Sequence, residues 1–267
     1  MSTLNVVSTG AELHQNGVPC SCKKADSTHK SHNATYTLHW SFTNSKLAKD
    51  RIISFNLPAF RSASGQMVCH SASVCALLCY ARQGRYVMPN VQQPREHNLE
   101  YLNTHTSAEF IHDAVNDLCR LHPSWRMVRI HDSGDFLSEA YFLAWCEIAR
   151  QCRHLKFYAY TKRISMVNAL RHLMPDNMHV IQSVGGLEDS LINTAYPHAV
   201  IFPTEDALEA AGYTNGTKSE YPAYSGCVTI GLVYHGSNSH KRLTAHEQTT
   251  LERRNDAVLT TTPVVNV

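Results

Sequence analysis

From about residue 51 to residue 234 the chain alternates short apolar runs with longer segments of helical period, and this alternation restricts the fold more than any other property of the sequence. Residues 51–58 read as a strand, ended by Pro58, which cannot donate to a sheet ladder. Ser107 is the expected cap of a helix over residues 108–122, where Phe110, Ile111, Ala114, Val115 and Leu118 recur at helical spacing before Pro123. A strand at 127–131, a helix from the Ser138 cap to Cys152, a strand at 156–160 and a helix at 165–174 follow. Two more strands at 179–183 and 198–202, a short helix at 205–211 between Thr204 and Gly212, and a last strand at 228–234 complete the series. Strands separated by helices of this length form right-handed βαβ units. The expected fold is therefore α/β, with a parallel sheet that is open or curled into a partial or full barrel.

The 267 residues suit one large domain with appendages better than two equal domains. Residues 1–50 read as an irregular polar arm, 51–242 as the α/β domain, and 243–267 as a polar tail that frays from Glu252 onward. Lys and Arg number 24 against 22 Asp and Glu, so no strong field marks a nucleic-acid or membrane surface. Nucleic acid nevertheless stays open as a partner. No run of 18 apolar residues occurs, and the first residues lack a basic start followed by an apolar stretch, so neither a membrane span nor secretion is expected. Nine cysteines is an odd number, which reads better as reduced thiols and metal ligands in a reducing cytoplasm than as a disulfide framework.

Three of those cysteines, Cys69, Cys75 and Cys79, fall within eleven residues just after the first strand. Three thiolates can hold a metal centre and leave one position open, and purely thiolate donors favour zinc or an iron-sulfur cluster over hard cations. The spacing of Cys75 and Cys79 places both on one face of a helical turn, with Cys69 reaching in from the preceding loop. A closed zinc site would need a fourth ligand, such as His70. The plainer alternative is three buried cysteines packing as small apolar side chains.

In parallel α/β folds ligands bind at the carboxyl ends of the strands, and here those ends are polar in succession. Asp132, Ser133, Gly134 and Asp135 follow the second strand; Thr161 and Lys162 follow the third; Gln182 and Ser183 end the fourth. Asp132, Asp135 and Lys162 are candidate acid, base or charge-pairing groups, and Ser133, Gly134, Asp135, Thr161, Gln182 and Ser183 are candidate ligand-binding residues. Asp132 and Ser133 can equally form the turn, with Asp135 preceding the next helix. Tyr158, Tyr160 and Lys162 suit a stacked nucleotide or ordinary sheet packing. Arg82, Arg85 and Arg95, downstream of the cysteines, fit an anionic ligand or a solvated surface. Cys20 and Cys22, with His29 and His32, have the donors of a zinc knuckle, although their polar setting favours disorder. Cys119, Cys146 and Cys152 lie beside apolar helix stripes and read as core thiols.

The stretches Phe55 to Ala59, Cys69 to Ala81, Gly84 to Tyr86, Arg129 to Phe136 and Phe157 to Lys162, taken in order, resemble the phage gene-product-88 family over about residues 51 to 240. The resemblance implies a phage or mobile-element origin and little about mechanism. It also implies a second cysteine cluster near the C-terminus; here Ile230 and Val233 stand where two of those cysteines would be, which leaves Cys227 as a relic or spare ligand. A more distant likeness is to radical S-adenosylmethionine enzymes, in which a cysteine loop after the first strand of a partial barrel binds a four-iron cluster and a Gly-Gly-Glu-like turn holds the methionine amine. Ser133, Gly134 and Asp135 take the analogous place, while the cysteine gaps of five and three residues depart from that family's loop.

Three functions follow as expectations. The first is an iron-sulfur protein, acting on S-adenosylmethionine or another small-molecule ligand. The second is a zinc-stabilised, non-catalytic binding module for nucleic acid or a host protein. The third is a metal-free nucleotide-binding enzyme that works through its strand-end carboxylates.

Overall fold

A computed structural model describes residues 36–233 and 244–261. In chain order its elements are β1 (Trp40–Ser41), α1 (Ser45–Lys49), β2 (Ile52–Phe55), α2 (Val74–Leu78), α3 (Pro89–Thr104), α4 (Ser107–Cys119), β3 (Met127–Ile130), α5 (Glu139–Gln151), β4 (Lys156–Thr161) and α6 (Ile164–Leu170). They continue with β5 (Met178–Ser183), β6 (His198–Phe202), α7 (Glu205–Ala210), β7 (Thr214–Asn215), α8 (Tyr221–Ser225), β8 (Thr229–Val233) and α9 (Ala245–Thr261). Among the described residues the strands form one sheet in the order β1-β2-β3-β4-β5-β6-β8-β7, parallel throughout except for the antiparallel β1 edge. The expected α/β fold with a parallel sheet is present. No helix among the described residues is long and apolar enough to cross a membrane.

Strands β2 to β6 follow one another without a reversal, so the crossover helices between them lie on one face. Strand periodicity then sorts the side chains. Ile53, Phe55, Val128, Ile130, Phe157, Ala159 and Val180 pack against α4, α5 and α6 around the fully buried Trp145. Their neighbours Ile52, Tyr158, Ile181, Ala199 and Ile230 face the other way and gather with Leu47 of α1 and Ala223 of α8. Burial of each such Leu, Ile or Phe contributes about 1.5–3 kcal/mol. The inner face draws on both ends of the sheet, and Lys46 of α1 reaches the carbonyl of Gly216 just after β7, at 3.3 Å. Helix α1, beside β2, thus meets the chain after β7 at the far end of the strand order, so the sheet is curled.

Helix starts follow local chemistry. Ser138 and Thr204 cap α5 and α7 as expected. The cap of α4 is Thr106 rather than Ser107, because Thr106 and Glu109 close a reciprocal capping box. The third expected helix stops at Leu170 and ends in a 3-10 turn, Arg171–Leu173. Helix α3, with Pro89 at its start, belongs to a stretch for which periodicity supplied no helix.

The described parts of the arm and tail, residues 36–50 and 244–261, contain regular elements. Residues 36–50 include β1 and α1, pinned by Asp117 of α4, which accepts hydrogen bonds from the Thr37 and Leu38 amides and from the Trp40 indole. The stretch read as a polar tail holds α9, whose narrow stripe of Leu251, Asn255 and Val258 docks beside Val200 and Phe202 of β6. Cys20, Cys22, His29 and His32 lie outside the described residues, as does Tyr234.

Candidate functional site

The carboxyl ends of the parallel strands open into a cavity of about 480 Å³. Cys69, Cys75 and Cys79 line one side of it; Asp132, Asp135 and Lys162 line it from the ends of β3 and β4; and Ser183 closes β5 beside them. The cavity therefore collects the cysteine loop and the polar strand ends in one place.

The cysteine loop is held from two directions. At its start, the Val68 and Cys69 amides donate to the Phe60 carbonyl, and the Phe60 amide approaches the Cys69 sulfur at 3.4 Å. Further on, the Ser73 and Cys75 amides donate to the carbonyl of Gly185, while Leu187 donates to Ser71, so the loop is stitched to the turn that follows β5. Glycine is required in that turn. Gly185 has φ +108°, and a Cβ on Gly186 would stand 2.8 Å from the Ser71 carbonyl oxygen and 2.9 Å from Lys162 Cβ. Asp189 fixes the turn by accepting from the Gly185 and Gly186 amides, and Arg254 of α9 pairs with it at 3.3 Å.

Helix α2 ends at Leu78, so Cys79 sits in its C-cap with extended ψ, not in the same turn as Cys75, yet both line the cavity. All three thiols are free. Burial pushes the Cys69 thiol up, and the charges of Asp135, Cys75 and Cys79 push it further, against a lowering contact with the Phe60 amide. Burial and then Cys75 raise Cys79 to about 11, opposed by the Ala81 amide, Arg82 and Lys162. Cys69 thus feels both of the other thiols, and Cys79 feels Cys75. Among the described residues, no group of three or more His, Cys, Asp or Glu side chains is gathered to hold a metal ion. His70 is exposed and does not line the cavity.

The segment after β3 is packed against the chain beyond β2. Ser133 Oγ donates to the Leu57 carbonyl at 2.7 Å, the Leu57 amide donates to the Ser133 carbonyl, and Asn56 Oδ1 accepts from the Asp132 amide. Gly134, at φ +94°, lies where a Cβ would stand 2.6 Å from Leu57 Cβ. Asp135 is almost fully buried and accepts from Thr161 Oγ1 at 2.6 Å and from the Lys162 and Phe136 amides. Burial raises its carboxyl above the ordinary range, although these three hydrogen bonds and Lys162 act against it. Lys162 Nζ in turn donates to Ser183 Oγ at 2.9 Å.

Two residues expected at the ligand site face elsewhere. Gln182 exchanges hydrogen bonds with the backbone of Asn193, and Thr161 spends its hydroxyl on Asp135; neither lines the cavity. Side chains alternate along a strand, so when Ser183 and Tyr160 turn inward their neighbours must turn outward.

Asp132 belongs to a wider polar network. Its oxygens accept from the Tyr80, Tyr86 and Asn44 side chains, and Arg129 stands 3.7 Å away. Burial works to raise the Asp132 carboxyl, but Arg129, the two tyrosines and Arg95 bring it below its ordinary value. Below it, Glu220 pairs with Lys46 at 2.7 Å and Arg129 at 3.2 Å and accepts from Tyr158, with Arg129 also over the Tyr160 ring. For Arg129, burial favours the neutral form, but Glu220, Tyr80 and Asp132 outweigh it and raise its pKa. Lys46, Arg129, Tyr80, Tyr86 and Glu220 were not among the expected site residues. An arginine within an apolar strand is a signal for Arg129; Glu220 carries none, because its partner is 91 residues away.

Cys227 lies outside the cavity, its thiol near Thr214 Oγ1 at 3.3 Å, and Ile230 is buried in the inner cluster. Cys146 and Cys152 are core thiols and Cys119 is half-buried.

The sequence pattern described as Gene product 88 matches residues 22–256. Two proteins named Gene 88 protein, from Mycobacterium phage D29 and Mycobacterium phage L5, are each 30% identical to this chain over 161 residues. Those matches cover 54% of this chain and 64% of each relative, so the chain spans less than two thirds of their length. No solved structure matches.

Proposed function

The chain belongs to the Gene product 88 family, and from its cavity we propose that Cys69, Cys75 and Cys79 hold an iron-sulfur cluster, with one iron free of protein ligands. The observation that carries the reading is that all three thiols, drawn from one loop after the first parallel strand, line the same cavity as Asp132, Asp135, Lys162 and Ser183. The donor set suits the group, since three thiolates serve a four-iron cluster with one open iron. A single zinc ion is the alternative occupant of the same thiols. With Zn–S near 2.3 Å, two thiolates on one zinc must lie within about 3.8 Å of each other. Thiolates on a cluster each bind a different iron and stand further apart.

When bound, such a cluster would supply single-electron chemistry to a small molecule at its open iron. The chain's own residues would bind and orient that molecule. Lys162, held by Ser183, offers a charge for a carboxylate, and Asp135 keeps one lone-pair site on Oδ2 for an amine, a combination that suits the amino-acid end of S-adenosylmethionine. The protein would then be a phage-type enzyme of the host cytoplasm, with a likeness to radical S-adenosylmethionine enzymes.

Anaerobic purification with iron, sulfide and zinc analysis tests the reading. Near-stoichiometric iron and sulfide with charge-transfer absorption are expected, and both should disappear in the Cys69→Ser, Cys75→Ser, Cys79→Ser triple variant. One equivalent of zinc lost together with folding on chelation would support the binding-module alternative instead. A metal-free protein whose triple variant melts unchanged would remove the metal altogether.

A further inference from the structure

Beside the cysteine cavity lies a second pocket of about 250 Å³, walled by the chain after β2, the turns that follow Cys79, and α3. Arg61, Arg82 and Arg95 line it, with Glu96 as the one acidic residue in its wall. Arg95 is only 7% exposed, and its guanidinium lies 4.6 Å from the centre of the Tyr86 ring. It makes no hydrogen bond or ion pair among the described residues. Its charge feels the Asp132 carboxylate at longer range, but its N–H donors are left without an acceptor, and arginine cannot lose its proton as lysine can. Its exposed neighbours are also left with donors to spare. Arg82 stacks over Phe60 and uses one nitrogen on the Ala76 carbonyl; Arg61 approaches the same ring and uses one nitrogen on the Gly65 carbonyl. Each guanidinium has five N–H donors in a planar fork shaped for oxyanions. Glu96 is engaged with the Ala63 amide, and three arginines against this one carboxylate leave the wall itself with two positive charges in excess.

We propose that this pocket is a phosphoryl-binding site, in which Arg95, Arg82 and Arg61 grip the phosphate of a phosphate monoester. The wall's net charge matches a phosphate dianion better than a carboxylate. Ala59 and Tyr86 line both pockets, and Tyr86 turns its ring to Arg95 and its hydroxyl to Asp132. A phosphate held by Arg95 would therefore direct its organic part past Tyr86 into the cysteine cavity, which makes a nucleoside monophosphate or a similar phosphorylated metabolite the ligand class. The phosphoryl site stands without the cluster; only the course of the organic part rests on the function proposed above.

The test is titration calorimetry on the full chain, purified anaerobically and assayed for iron, with inorganic phosphate, adenosine monophosphate and acetate as separate probes. One phosphate site is expected, weakened about tenfold or more by Arg95→Gln, as the loss of a charged hydrogen-bond donor implies, and less by the exposed Arg61→Gln. Adenosine monophosphate should bind more tightly than phosphate, and acetate more weakly. If Arg95→Gln fails to fold, Arg61→Gln and the salt dependence of phosphate binding read the site. Absence of phosphate binding, or equal binding by wild type and variants, overturns the site. Acetate binding as tightly as phosphate overturns its phosphoryl character, and equal affinity for phosphate and adenosine monophosphate overturns the bridging ligand. Because binding is read independently of iron content, loss of the cluster reading and loss of the phosphoryl site are separate results.

Discussion

Replacing Glu220 by glutamine removes one negative charge from the floor of the cavity while keeping its shape. Its side chain is 3% exposed and faces Arg129, 13% exposed, at 3.2 Å and Lys46, 35% exposed, at 2.7 Å. At an effective dielectric near 20 the Arg129 contact alone amounts to about 5 kcal/mol of gross attraction. Breaking a buried pair of this kind typically costs about 3–5 kcal/mol, because the surviving charge is left buried. Two features move the expectation to the low end: Lys46 keeps much of its hydration, and Asp132 remains 3.7 Å from Arg129. A loss of about 3 kcal/mol follows, or a fall in Tm of about 6–12 °C for a chain of this size. Urea and thermal denaturation of Glu220→Gln, Arg129→Met and the double variant form a cycle in which the double variant should lose about 2 kcal/mol less than the sum of the singles. The pH dependence has a definite sign. Burial acts to raise the Glu220 carboxyl, but Arg129, Lys46 and the hydrogen bonds from Lys46 and Tyr158 hold it below its ordinary value of 4.5. Its contribution is therefore complete above pH 4.5 and is lost as pH falls through the lower folded value, so the gap between wild type and variant should be flat near neutrality and narrow below 4.5. A variant within 1 kcal/mol of wild type at pH 7, or a gap that widens on acidification, would refute the reasoning.

Gly186→Ala should destabilise by about 1–3 kcal/mol, since its new Cβ would meet the Ser71 carbonyl at 2.8 Å and Lys162 Cβ at 2.9 Å. Hydrogen exchange should quicken at the Cys75 and Leu187 amides, and unchanged protection there would show that the turn does not hold the cysteine loop. Asp117→Asn places an amide where three donors converge on a fully buried carboxylate, and should cost about 2 kcal/mol with a change in tryptophan fluorescence as Trp40 is released. Identical denaturation curves and emission spectra would mean that the segment around Trp40 is held by other contacts.

Much of this architecture is readable from local order because strands and helices impose short periods on the chain. The strands at Val128, Phe157 and Val180, the stops at Pro58 and Pro123, and the caps at Ser138 and Thr204 all act within a few residues of their effect. Helix α9 escaped that reading because its buried apolar residues are Leu251 and Val258, seven residues apart in a polar stretch with Leu259 partly buried beside them, and its value comes from the β6 surface it meets. Helix α3 escaped for a related reason: its buried Arg95, Asn98, Leu99 and Tyr101 are mostly polar, and they are buried by what lies around them.

The sequence by itself determined the α/β class, the parallel sheet and the position of Cys69, Cys75 and Cys79 after the first parallel strand, because each depends on spacing along the chain. Only the tertiary structure decided that Ser183 faces the cavity and Gln182 does not, that Glu220 meets Arg129 across 91 residues, and that Arg95 is buried against Tyr86 in the wall of the second pocket. The reason is physical. Periodicity states which side chains share a face, but the curl of the sheet and the meeting of distant loops determine what that face encloses.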